Sequence, residues 1–166
     1  MLRKIEDFQK DWAYETESTM KVLNALTDES LGRKVTPTGR SLGFLAWHLT
    51  QTLGEMPGHT GLKIDAPSFE QEMPASAKEI AAAYEKASKS VADEVANNWK
   101  DETLLQEDNM YGETWPRGLT LLLLITHQSH HRGQMTVLMR QAGLPVPGVY
   151  GPSKEEWEAH GMPAMA

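Results

Sequence analysis

The sequence predicts an all-α protein, a four-helix bundle with a long connection between helices 2 and 3 and a short C-terminal helical tail. Apolar residues recur at spacings of three and four in four separate segments, and stretches rich in proline and glycine divide these segments. No segment alternates like a strand over a useful length. A chain of 166 residues buries a core without disulfides, so we expect a single domain over residues 1–166.

The first two predicted helices flank a basic loop. Apolar residues follow helical spacing from Leu2 to about Leu26, which indicates an amphipathic first helix. The stretch GRKVTPTGRS then breaks this pattern with one proline, two glycines and several cations. Its last residue, Ser41, is suited to cap a second helix that runs roughly from Ser41 to Glu55.

The next predicted elements are a long connection and a third helix. Residues 56–75 contain three prolines and two glycines, and they show no sustained period. Connections of this length in bundles either cross over the bundle or cover a functional mouth. The pattern Ser76-Ala-Lys-Glu79 is a capping box, and it predicts a helix that continues to about Trp99.

A fourth helix is predicted from Pro116 to Gln141, where Gly143 gives a C-terminal stop and Pro145 prevents continuation. Its first half is apolar on nearly all sides, which predicts a position in the middle of the bundle. The tail is extended at its prolines. A second capping box at Ser153 and Glu156 then predicts a short helical turn packed against the bundle.

Composition excludes several classes of function. The net charge of -7 and the pI near 5.3 repel phosphate backbones, so we expect no nucleic-acid partner. The longest apolar run, Leu119 to Ile125, is far shorter than a membrane span. The segment MLRKIEDFQKDW lacks the apolar stretch of a signal peptide, so we expect a soluble, cytoplasmic protein without a membrane partner. The absence of cysteine leaves imidazole, carboxylate and carbonyl groups as metal ligands.

Histidines provide the main functional signal. His127 and His131 lie four residues apart on the fourth predicted helix, so both rings project from one face and can reach the same point. His48 lies on the core-facing side of the second helix and can complete the set from the opposite wall. Three imidazoles leave a tetrahedral metal ion one open coordination position, as in catalytic sites.

A simpler interpretation is that His127 and His131 are two polar side chains on a solvated face. The apolar run before them favours a metal instead, because buried imidazoles without partners would each cost about 1–3 kcal/mol. Gln128 stands where an HExxH protease needs glutamate, which argues against peptide hydrolysis. The pattern makes His130 a residue behind the ligands or on the surface. His59 and His160 are expected at the surface, although His59 could close over the site.

Two neighbours of the histidine pair are candidates for supporting roles. Gln134 lies one turn beyond His131 and is suited to orient a ligand or contact substrate, or it is an ordinary polar helix residue. Arg132 faces another direction, so it forms a salt bridge or binds an anionic group of a cofactor. Four of the five tryptophans, at positions 12, 47, 99 and 115, are expected in the core or in a cavity wall.

These residues carry a family resemblance. The helical histidine in LAWHL, the pattern HxxxHRGQ from His127 to Gln134 and the ending RQAGLPVPGVYGPS resemble the DinB/YfiT-like metalloenzymes. The resemblance spans essentially the whole chain. It implies a four-helix bundle, often dimeric, that binds Zn²⁺ or Ni²⁺ through His48, His127 and His131. Relatives of known activity include bacillithiol S-transferases and a mycothiol-dependent maleylpyruvate isomerase.

The expected function is therefore that of a metal-dependent S-transferase acting on small electrophiles with a low-molecular-weight thiol, with Gln134 as the candidate catalytic residue and Arg132 as the candidate cofactor-binding residue. We expect a small-molecule substrate and a homodimer. Two alternatives remain open at this point. One is a hydrolase that uses hydroxide on the metal, and the other is a stress-related or ligand-binding bundle in which metal only stabilises the fold.

Overall fold

Four α-helices make up most of the chain in the computed structural model, which describes residues 1–157, 161 and 163. The predicted fold class is confirmed, and each predicted helix is present. The helices are α1 (Ile5–Asn24), α2 (Leu42–Gly58), α3 (Ala77–Asn98) and α4 (Arg117–Gln141). In this described part of the chain, no helix combines the length and the apolar character needed to cross a membrane.

The helices pack as a four-cornered bundle. Helix α1 lies mainly against α3 and α4, and α2 lies against the same two helices. Helix α4 is therefore one corner and not the centre of the bundle, which corrects the position predicted from its apolar sequence. Two apolar residues of its first half, Leu122 and Ile125, are only partly buried. An apolar run shows how much apolar surface a helix carries. The number of helices that pack against it decides how much of that surface is buried.

The core is built from aromatic and aliphatic side chains of all four helices. Trp12 is fully buried, and its indole nitrogen donates to the carbonyl of Ser88 at 3.0 Å. Trp47 is buried on α2 and donates to the carbonyl of Gln71 at 3.1 Å. The second bond fastens the long connection, residues 59–76, against α2. This places Phe69 of the connection beside the histidines described below.

A short hairpin precedes α4, where the sequence indicated no strand. Strands β1 (Glu107–Met110) and β2 (Glu113–Pro116) pair antiparallel around a two-residue turn. Both turn residues have positive φ, 56° at Tyr111 and 88° at Gly112, as a type I′ hairpin turn requires. Four-residue strands are too short to show a reliable alternation, so the sequence did not predict the hairpin. The all-helical class is still confirmed.

The helix starts show which predicted caps are real. Ser41 caps α2 as predicted, because its hydroxyl accepts from the backbone N–H of Phe44 at 3.1 Å. Ser76 occupies the N-cap position of α3, but its side chain makes no capping bond. The carboxylate of Asp28, in a 3₁₀ turn at Asp28–Gly32, accepts from the N–H of Ala77 at 2.7 Å instead. The predicted capping box is thus replaced by a tertiary cap.

The described part of the tail packs against the bundle as expected, with Val146 buried and the Tyr14 hydroxyl donating to the carbonyl of Val149. Gly143 has a φ of 76° and ends α4. At the second predicted capping box, the backbone N–H of Ser153 donates to Glu156 Oε2 at 3.2 Å. Within the described residues, 154–157 form a hydrogen-bonded turn there. His160 lies outside the described residues.

Candidate metal centre

Three histidines from two helices converge at one point. His48 comes from α2, and His127 and His131 come from α4. One ring nitrogen of each lies within 4.8 Å of the others. The Nε2 atoms of His127 and His131 are 3.1 Å apart, and bonds of 2.0–2.1 Å in a tetrahedral zinc site would set ligand nitrogens about 3.3 Å apart. The predicted convergence is present, and the cluster could hold a metal ion.

The packing of α2 against α4 creates this convergence. The His127 and His131 rings lie one helical turn apart with centroids at 4.4 Å, and the His48 ring meets them edge-on at 5.2 and 4.8 Å. Gln128 is fully buried beside them, and its amide donates to the carbonyl of Leu49 at 3.4 Å. The residue that excludes an HExxH protease therefore ties the two helices together next to the cluster.

Burial keeps the three imidazoles neutral. It lowers the pKa of His127 to about 4, and the neighbouring ring of His131 adds to this effect. Burial also lowers the pKa of His48, with His131 as the next cause. For His131, burial lowers the pKa and the hydrogen bond to Gln134 opposes it. Neutral imidazole is the form that ligates metals, so the cluster is prepared for a cation near pH 7.

Gln134 sets the orientation of His131. The Nδ1–H of His131 donates to Gln134 Oε1 at 2.7 Å, which leaves its Nε2 lone pair directed at the cluster. The Gln134 amide nitrogen lies 3.1 Å from Nε2 of His130. His130 itself is exposed and is not part of the three-histidine cluster. Of the two roles predicted for Gln134, orientation of a ligand matches this placement.

The donor set fits a divalent ion. The two facing Nε2 atoms of His127 and His131 share at most one hydrogen, because His131 carries its proton on Nδ1. Among the described residues, the buried Nδ1 of His127 finds no hydrogen-bond partner. A cation would use the lone pairs that the cluster leaves directed at one another. Three neutral ligands would leave its charge uncompensated, which favours an anionic fourth ligand.

Two of the three histidines, His48 and His127, form part of the wall of a cavity of about 650 Å³. This size suits a small organic molecule. The wall is mainly apolar and aromatic, and its residues are His48, Thr52, Glu55, Met56, Phe69, Tyr111, Trp115, Leu123, Thr126, His127 and His130. Trp115 thus lies in a cavity wall, as predicted, and the other three named tryptophans are buried.

The sequence analysis did not identify two polar residues of this cavity, Glu55 and Tyr111. The Tyr111 hydroxyl donates to Glu55 Oε2 at 2.7 Å, and Nε2 of His59 lies 2.9 Å from Glu55 Oε1. The His59 and Tyr111 rings also meet edge to face at 5.4 Å. The sequence could have indicated Glu55, because positions 48, 52 and 55 share one face of α2. Nothing in the sequence indicated Tyr111, because only the hairpin brings it to α2.

Arg132 lies away from the cavity, in a buried ion pair. Its guanidinium is 2.8 Å from Glu15 Oε2, and it also donates to Thr19 Oγ1 at 2.9 Å and to the Tyr150 hydroxyl. The side chains of Arg132 and Glu15 are 3% and 7% exposed. Of the two predicted roles, the structure realises the salt bridge. Arg132 is not among the residues that line the cavity, and a contact with a cofactor stays a prediction.

Comparison with known proteins gives consistent matches. The model of the DinB family matches residues 1–164. Over 164 residues the chain is 45% identical to the uncharacterized protein YrdA of Bacillus subtilis (strain 168), covering 99% of this chain and 98% of that one. The crystal structure of a DinB-like protein from Bacillus cereus ATCC 10987 is similar, with a TM-score of 0.87, 45% identity, and coverage of 90% of this chain and 100% of that one.

A more distant structure shares the fold alone. The DinB-like protein YjoA of Bacillus subtilis is 18% identical, with a TM-score of 0.66 and coverage of 84% of this chain and 96% of that one.

Proposed function

The chain belongs to the DinB family, and from this premise we propose that it is a metal-dependent S-transferase that joins a small thiol to an apolar electrophile. The observation that carries the proposal is the position of the three-histidine cluster beside a largely apolar cavity, whose wall includes His48 and His127. Structural metal sites are usually closed by four protein ligands. A three-ligand site beside a space for a small molecule supports chemistry instead.

His48, His127 and His131 would hold the metal, for which Zn²⁺ and Ni²⁺ are our candidates. When bound, such an ion would supply positive charge that stabilises the thiol as its thiolate at neutral pH. Gln134 keeps the ring of His131 in the ligating orientation through the 2.7 Å bond to Nδ1.

The cavity favours a reaction between a thiol and an apolar partner. Met56, Phe69 and Leu123 contribute apolar wall on which an electrophile would pack. In the proposed reaction a carbon–sulfur bond forms and the bond from that carbon to the leaving group breaks. The leaving group departs with the electron pair, as halide does from an aryl halide, and the proton that the thiol has lost passes to solvent.

The test is a rate measurement with the metal-loaded protein. Zn²⁺- and Ni²⁺-loaded samples are mixed with a chromogenic aryl halide and, in turn, with cysteine, glutathione, bacillithiol and mycothiol. We expect turnover above the uncatalysed rate with at least one thiol and loss of that turnover in His127→Ala. No acceleration with any of these thiols overturns the proposal.

A parallel assay separates transferase from hydrolase. Aryl and alkyl esters are offered to the same samples without any thiol. The proposed transferase leaves the esters intact, whereas thiol-independent hydrolysis that disappears in His127→Ala would replace it with a hydrolase.

A further inference from the structure

Besides the candidate metal centre, the cavity has a second polar region, which is acidic. Among its lining residues, all within the described part of the chain, Glu55 is the one acidic side chain, and no lysine or arginine is present. A metal-loaded cavity would therefore be positive at the histidines and negative at Glu55.

Aromatic rings surround the acidic end. Tyr111 and Trp115 lie with centroids 5.7 Å apart at an angle of 64°, and both line the cavity beside Glu55. The faces of such rings carry partial negative charge and attract organic cations. A carboxylate next to two aromatic rings is a combination that recognises an ammonium group.

Glu55 retains capacity for such a ligand. Each carboxylate oxygen accepts up to two hydrogen bonds, and the bonds to Tyr111 and His59 occupy one position on each oxygen. The Glu55 side chain is 26% exposed, so it is neither sealed in the core nor fully hydrated. A ligand ammonium could donate to the remaining lone pairs while its carbon skeleton contacts the apolar wall.

The backbone supports a functional placement of Tyr111. Its φ of 56° lies in the left-handed region, where asparagine, aspartate and glycine are favoured and a bulky side chain is costly. Partial burial and the bond to Glu55 raise the pKa of its hydroxyl, which keeps it protonated as a donor. A tyrosine held at this turn against its backbone preference directs a ring and a hydroxyl to the acidic end.

We propose that this cavity selects small organic cations, with an apolar body and an ammonium group held by Glu55, Tyr111 and Trp115. This specificity rests on the proposed function for its meaning, since it would orient a substrate with its other end towards the histidines. Its physical basis requires neither metal nor thiol.

Binding of a matched pair of probes tests the proposal. Benzylammonium and benzyl alcohol have similar size, and at about pH 8 an ordinary imidazole is neutral while the amine remains charged. Calorimetric titration of the full chain without thiol should show benzylammonium binding at least about tenfold more tightly than benzyl alcohol. Equal affinities, or no detectable binding of the cation, overturn the proposal.

Glu55→Gln identifies the group responsible. This change keeps the size and an acceptor for Tyr111 but removes the charge, so the preference for the cation should disappear while benzyl alcohol binds as before. Glu17→Gln is the matched control, because it removes the same charge from an exposed site paired with Lys21, and it should retain the preference. A preference that survives in Glu55→Gln, with an unchanged melting temperature, refutes the assignment.

The outcome is independent of the enzyme assay. Cation selectivity without thiol-dependent turnover would refute only the S-transferase proposal. Turnover without cation selectivity would refute only the specificity inferred here.

Discussion

His131 and Arg132 are adjacent on α4, yet their side chains point in different directions and meet different polar partners. Arg132 points into the bundle, where Glu15, Thr19 and Tyr150 supply its partners. His131 points towards α2, where its Nε2 faces the Nε2 of His127 and its ring meets the ring of His48. The first cluster pairs its charges within the chain, whereas the second leaves lone pairs directed at a common point. Charges paired within the chain indicate a structural role, and converging lone pairs indicate a ligand site.

The largest effect is expected at the buried ion pair between Arg132 and Glu15. Replacing Arg132 with Met leaves the carboxylate of Glu15 buried without its cation, which should lower the free energy of unfolding by about 3–5 kcal/mol. Chemical denaturation measures this loss. The double variant Arg132→Met with Glu15→Leu should recover much of it, because no charge then remains buried. A loss below about 1 kcal/mol in the single variant would mean that the ion pair is solvated.

At the three-histidine cluster, the expected effect is on the stabilisation that bound metal provides. His48→Ala removes one ligand and should abolish most of the stabilisation by metal, which for wild type reaches about 2.7 kcal/mol at a hundred times the dissociation constant. Melting temperatures with and without Zn²⁺ or Ni²⁺ measure it. His130→Ala is the matched control, since His130 lies nearby but outside the cluster, and it should keep the metal response. Equal responses in both variants would contradict the site.

A smaller effect is expected at the residue that orients His131. Gln134→Leu removes the acceptor for Nδ1–H and should weaken metal affinity by about 10–100-fold. The same substitution at exposed Gln141, further along α4, should leave affinity unchanged. Competition with a chromogenic chelator measures both. Unaltered affinity in Gln134→Leu would show that the hydrogen bond does not tune the ligand.

The smallest predicted effect is a pH dependence of the metal-free protein. The pKa of His127 is lowered to about 4 in the folded chain, and an unfolded histidine has a pKa of about 6.5. Below the unfolded value the unfolded chain binds more protons, so stability is full above about pH 6.5 and falls as the pH drops towards about 4. Because the ring is only partly buried, solvent screening reduces the effect to about 1–2 kcal/mol.

Denaturation at several pH values measures this slope. In His127→Ala the slope between about pH 6.5 and 4 should become shallower. An unchanged slope would assign the pH dependence to other groups.

The sequence by itself determined the helices and the candidate ligands. Apolar spacing identified α1 to α4, because burial of one face repeats with the helical period. The four-residue spacing of His127 and His131 determined that their rings share a face, since helix geometry alone fixes it. Ser41 as a cap and Gly143 as a stop are equally local, and both are present.

Tertiary structure decided what depends on distant partners. Asp28 caps α3 in place of Ser76, Glu15 engages Arg132, and Tyr111 meets Glu55 across 56 positions of sequence. Helical spacing gives the direction of a side chain relative to its own helix but not the neighbour that packs there. The cavity and its acidic end arise where the hairpin, the long connection and two helices meet, so their chemistry follows from packing and not from any local pattern.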